Sequence, residues 1–141
     1  MRFTKMHGIG NDYVYFDCTK NDITNPGELS IKLSDRHFGV GSDGIILIRP
    51  ALIADFKMSM FNADGSEAEM CGNATRCVGK YLYERGITQQ REFTLETLAG
   101  IRVISLFTSG GGHVDRVRVD MGQPSLIPTD IPMKADGDSF I

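Results

Sequence analysis

One segment, Cys71–Arg85, carries a clear helical signature, and strand patterns bracket it on both sides. Ala74, Cys77, Val78, Tyr81 and Leu82 recur at helical spacing, so the segment predicts a helix with one apolar face that must pack into a core. Gly86 is placed as its stop, with Lys80 and Arg85 toward the negative end of its dipole. Before it, Arg2–Met6 alternates, His7–Asp12 reads as a loop, and Tyr13–Phe16 is aromatic and β-rich. Asn25-Pro26-Gly27-Glu28 reads as a capped helix start, with the helix running to Arg36 and Leu29 and Leu33 on one face. The run Ile45–Ile48 is a buried strand, Asp55–Phe61 a further one, and Asp64-Gly65 a hairpin turn. After Gly86, three strands (Phe93–Thr97, Ile101–Phe107, Val114–Met121) follow one another through short turns, which makes them antiparallel.

A length of 141 residues is room for one ordinary domain, and 41% apolar with 23% charged residues suits a packed core. The net charge of −3 gives no bulk attraction to phosphate backbones or anionic lipid, so neither nucleic acid nor membrane is an expected partner. The three cysteines, Cys18, Cys71 and Cys77, form no C-x-x-C, and His7, His37 and His113 are far apart, so no metal cassette is legible. The N-terminus lacks the apolar run of a signal peptide, and nothing approaches the roughly 18 apolar residues of a membrane span. These features predict a reduced, cytoplasmic protein. The stretch from Gly122 to Ile141, with Pro124, Pro128, Pro132 and Gly137, reads as a linker.

Gly39-Val40-Gly41-Ser42-Asp43-Gly44 is literally G-x-G-x-x-G, but a helix precedes it and a strand follows, the reverse of a dinucleotide fingerprint. Cys71 is the more informative residue. It falls at the start of the central helix, where free N–H groups and the positive dipole end favour a thiolate and would also bind a carboxylate. Gly72 lets a ligand approach the backbone, and Asn73 offers a donor and an acceptor. An ordinary buried cysteine is equally compatible with these local features. Asn11 and Asn62 are turn-type residues that would also suit a zwitterionic ligand. Cys77 lies roughly 9 Å along the helix axis and about 120° round from Cys71, which reads as core. Cys18 reads as structural. A His37–Cys71 pair has no local signature behind it.

The blocks Phe3–Tyr13, Asp35–Gly44, Phe61–Asn73, Arg76-Cys77, Glu96–Gly100 and Val119–Gly122 together resemble the diaminopimelate epimerase family, in family order. The resemblance implies an α+β fold, a mostly antiparallel or mixed sheet curled around a central helix, in which two similar halves hold the substrate between them. It implies an isomerase of lysine and cell-wall precursor synthesis, interconverting LL- and meso-2,6-diaminopimelate with neither metal nor pyridoxal phosphate. Cys71 then matches one of two catalytic thiols, and Asn11, Asn62, Gly72 and Asn73 match substrate-contacting positions. Ala74 stands where many members have Gly, and Tyr13 where Phe is commoner; neither substitution is expected to matter. The blocks of the second half, including the other thiol and a second helix, are absent. The expectation is therefore an N-terminal epimerase domain over residues 1–121 and a linker over 122–141, inactive or nearly so alone, with a C-terminal half or a second copy as partner. The alternatives are a racemase of another amino acid and a non-catalytic half that associates with a partner chain.

Overall fold

The two helices among the described residues occupy the two places where a mixed sheet needs a crossover. In chain order the elements are β1 (Thr4–Gly8), β2 (Asn11–Asp17), α1 (Pro26–Ser34), β3 (Gly44–Arg49), β4 (Phe56–Asn62), β5 (Glu67–Ala68), α2 (Gly72–Glu84), β6 (Glu92–Thr97), β7 (Gly100–Thr108) and β8 (Val114–Val119). They come from a computed structural model that describes residues 1–127 and 131. The strands run β1-β2-β3-β4-β6-β7-β8, with β5 paired to β4. The joins β2–β3 and β4–β6 are parallel and the others antiparallel. A parallel join cannot be closed by a tight turn; α1 bridges the first and α2 the second.

Strand periodicity sorts the core into two layers. Tyr13, Tyr15, Ile46, Ile48, Met58 and Met60 point to the face that holds Ala74, Cys77, Val78 and Leu82 of α2. Their neighbours Val14, Phe16, Ile45, Leu47 and Phe61 point the other way, against Leu29 and Leu33 of α1. This explains the unbroken Ile45–Ile48 run: β3 is buried on both faces. The sheet curls so far that α2 touches β1 and β2 at one end and β7 and β8 at the other. The result is an α+β half-barrel around a central helix. Gly79 allows the close approach, because a Cβ there would lie 2.9 Å from Ile104 Cγ2.

Three local expectations change. The His7–Asp12 loop contracts to a two-residue turn, Ile9-Gly10, with φ of 56° and 83°, and Asn11 and Asp12 join β2. Positive φ at both turn residues matches the strand twist, although it is costly for a β-branched residue, and Ile9 is 88% exposed. Asn25 adopts a left-handed φ of 55° and its side chain makes no capping hydrogen bond, so the capping box does not form. α1 ends at Ser34 rather than Arg36, because the Asp35 carboxylate accepts the N–H groups of His37 and Phe38 at 2.7 and 2.8 Å. Residues 122–127 form neither helix nor strand, while Pro128, Pro132 and Gly137 of the expected linker lie outside the described residues. No helix among the described residues is long and apolar enough to cross a membrane.

Candidate active site

Cys71 is the N-cap residue of α2, in extended conformation. Its carbonyl accepts both the backbone N–H and the hydroxyl of Thr75 at 2.9 Å, which ties it to the first turn. The half-buried thiol donates to Asn11 Oδ1 at 3.2 Å. Asn11 opens β2, sixty residues earlier in the chain, and the curl of the sheet around α2 brings the two together. Beside them, Gly8 makes room for the helix start: a Cβ there would lie 3.1 Å from Asn73.

Behind Asn11 is a charged cluster. Asn11 Nδ2 donates to Asp43 Oδ2 at 2.7 Å, and the Asp12 N–H reaches the same oxygen at 3.1 Å. Arg36 bridges Asp43 at 3.0 Å and Asp12 at 2.8 Å, and Lys5 lies 3.0 Å from Asp12. The Arg36 hydrogen bond, helped by Lys5, lowers the Asp12 carboxyl from 3.8 to about 2 despite partial burial. A depressed carboxylate stabilises the fold above its unfolded value and loses that contribution as pH falls through its folded one. Asp12→Asn is therefore expected to flatten the dependence of the urea midpoint on pH between about 4 and about 2, while the parent chain weakens across that window.

Cys71, Gly72 and Asn73 line an open cleft of about 590 Å³, walled by Val117–Val119 of β8 and by Met121. Among the described residues only Met121 approaches the open side of Gly72, at 3.7 Å from a built Cβ, which leaves the helix N-terminus accessible to the cleft. Asn73 turns its Oδ1 to Arg76. Asn62 ends β4, in register with Gly44 of β3. Its amide donates to Ser66 Oγ at 3.0 Å, and the neighbouring Ala63 N–H reaches the Asp43 carbonyl at 3.1 Å.

Residues 3–127 match the family described as diaminopimelate epimerase. The chain belongs to that family. It is 58% identical over 140 residues to the diaminopimelate epimerase of Acetivibrio thermocellus, covering 99% of this chain and 50% of that one. The diaminopimelate epimerase of Methanococcus maripaludis is 57% identical over 136 residues, covering 96% and 49%. The chain thus spans about half the length of the curated relatives it matches. The fold also resembles a Bacillus anthracis PhzF-family protein (TM-score 0.60, 23% identity, 79% of this chain and 36% of that one). A hydroxyproline epimerase from Agrobacterium vitis is similar to the same degree (TM-score 0.59, 19% identity, 83% and 40%).

The other cysteines of this diaminopimelate epimerase family chain are core residues. Cys77 packs in the α2 layer and Cys18 in the α1 layer, and burial pushes both thiols up. His37 is exposed in the turn that follows α1, its N–H held by the Asp35 carboxylate. No group of three or more metal-ligating side chains occurs among the described residues. Two residues at the site were given no role by the sequence reading. Tyr13, whose phenol is raised first by burial, faces the Asn11 amide and the Cys71 thiol. Asp43 holds Asn11, and its position inside the G-x-G-x-x-G segment was the available signal.

Proposed function

We propose that this chain supplies one side of a diaminopimelate epimerase site, with Cys71 as the thiol that removes or delivers the α-proton of LL- or meso-diaminopimelate. Inverting a stereocentre by proton transfer takes a base on one face and an acid on the other. The α-proton of an amino acid is a very weak acid, so the carbanion needs a dry site and aimed N–H donors. The observation that carries the reading is the placement of a half-buried thiol at an accessible helix N-terminus, on the Asn11 amide and at the mouth of a cleft. Gly72 and Asn73 would present backbone N–H groups to a carboxylate or to the carbanion, and Asn11 and Asn62 would read the ammonium and carboxylate groups.

Cys18 and Cys77 are buried, so neither is placed to act as the thiol of the opposite face. In this reading residues 1–121 are a catalytic half-domain and the second thiol belongs to a complementary half. Supplying the remaining half of the A. thermocellus relative is expected to give a mixture that epimerises diaminopimelate in preference to proline, hydroxyproline or glutamate in a competition assay. Preference for one of the others would assign the chain to a different racemase.

A second copy is the other source of that thiol, and one observation favours association. Ile101, Val103 and Phe107 form an apolar stripe on the outer face of β7 at 43%, 38% and 45% exposure, and Met121 at the cleft is 54% exposed. Sedimentation is expected to show mass rising with concentration; a monomer throughout would remove the homodimer.

A further inference from the structure

The orientation of the Asn11 amide is decided by Asp43. A carboxylate only accepts hydrogen bonds, so the amide NH2 must turn to Asp43 Oδ2, 2.7 Å away, and Oδ1 is left facing Cys71 Sγ at 3.2 Å. Asp43 is itself fixed from three sides: Arg36 on Oδ1, the Asp12 N–H on Oδ2, and its own N–H donating to the Asp12 carbonyl at 2.8 Å. We propose that Asp43 is a positioning residue that acts through Asn11, setting the amide so that its oxygen, and not its NH2, meets the Cys71 thiol. A carbonyl oxygen stabilises S–H and repels S⁻, whereas an amide N–H would do the opposite. The inference rests on the reading of Cys71 as an acid/base group.

Other groups lie around the thiol: Tyr13 beside it and Tyr15 further along β2, Cys77 in the core and Arg76 on α2, and Arg118 of β8 across the cleft. The test must separate the Asn11 relay from all of them and from the bare charge of Asp43. The rate of Cys71 alkylation by iodoacetamide is followed against pH on the intact chain, with peptide mapping to assign the label. In Asp43→Asn the new amide can donate to Asn11 Oδ1 and turn the Asn11 NH2 toward sulfur. The midpoint is expected to fall by about one pH unit, which is about tenfold faster alkylation near neutrality. In an Asn11→Ala background the same Asp43→Asn change is expected to move the midpoint little. An unchanged midpoint, or an equal shift in both backgrounds, would overturn the relay, because an effect of charge alone does not need Asn11. If Asp43→Asn does not fold, Asn11→Ala alone is expected to lower the midpoint by removing the acceptor, and a midpoint that stays or rises overturns the proposal. Alkylation needs no substrate, so loss of the relay and loss of the epimerase reading are distinguishable results.

Discussion

Replacing Cys71 by serine is expected to lower epimerisation of diaminopimelate, by this chain with its complementary half, about 10³-fold. The hydroxyl keeps the hydrogen bond to Asn11 and fits the N-cap of α2, where serine is among the preferred residues. Stability should therefore be unchanged or slightly increased, and lost activity cannot be attributed to unfolding. What serine lacks is acidity: an alkoxide is far less accessible than a thiolate, so proton transfer at the α-carbon stalls. The measurement is the rate of LL-to-meso conversion beside the urea midpoint of each protein. A serine variant within tenfold of the parent rate would remove Cys71 from the chemistry.

The second large effect is structural and falls at Gly44→Ala. Gly44 begins β3 directly after Asp43, opposite Asn62 of β4, and a Cβ built on it would lie 2.1 Å from the Phe61 carbonyl oxygen. That neighbour is backbone of a buried stretch of β4, so no side chain can swing away. The β3–β4 ladder has to open, at a cost of about 3 kcal/mol, the upper end of the usual overpacking range. At this chain length that corresponds to a fall in Tm of about 10 °C. Thermal unfolding followed by circular dichroism checks it; a fall under about 2 °C would mean that the two strands are not held this closely.

Some of this architecture was legible from the residues alone. α2 announces itself because its apolar positions recur at helical spacing and Gly86 takes a left-handed φ of 69° at the stop. The hairpins β6–β7 and β7–β8 follow from turn residues between alternating runs. The parallel joins β2–β3 and β4–β6 were not legible, because parallel pairing depends on where each crossover helix packs and leaves no local mark. The failed cap at Asn25 has the opposite origin: the motif is present, but a left-handed backbone turns the side chain away from the first-turn amides.

The candidate site divides in the same way. Cys71 stood out because Gly72-Asn73 and a helix start follow it directly. Its contact with Asn11 spans sixty residues, and the Asn11–Asp43 contact spans thirty-two. The latter exists because Val14 and Ile45 are in register across the parallel join, which sets Asp12 beside Asp43. No reading of local sequence gives that register, so Asp43 passed as part of a glycine loop.

Proton exchange between Cys71 and the α-carbon of diaminopimelate is the step on which the proposed function depends. Its most direct test is to incubate LL-diaminopimelate in heavy water with the reduced chain and the complementary half, and to read deuterium and configuration at the α-carbon together. Deuterium is expected at the inverted centre from the mixture, and none there when either half is omitted or when Cys71 is serine. Diaminopimelate recovered free of deuterium, from a mixture that sedimentation shows to be a complex, would contradict it.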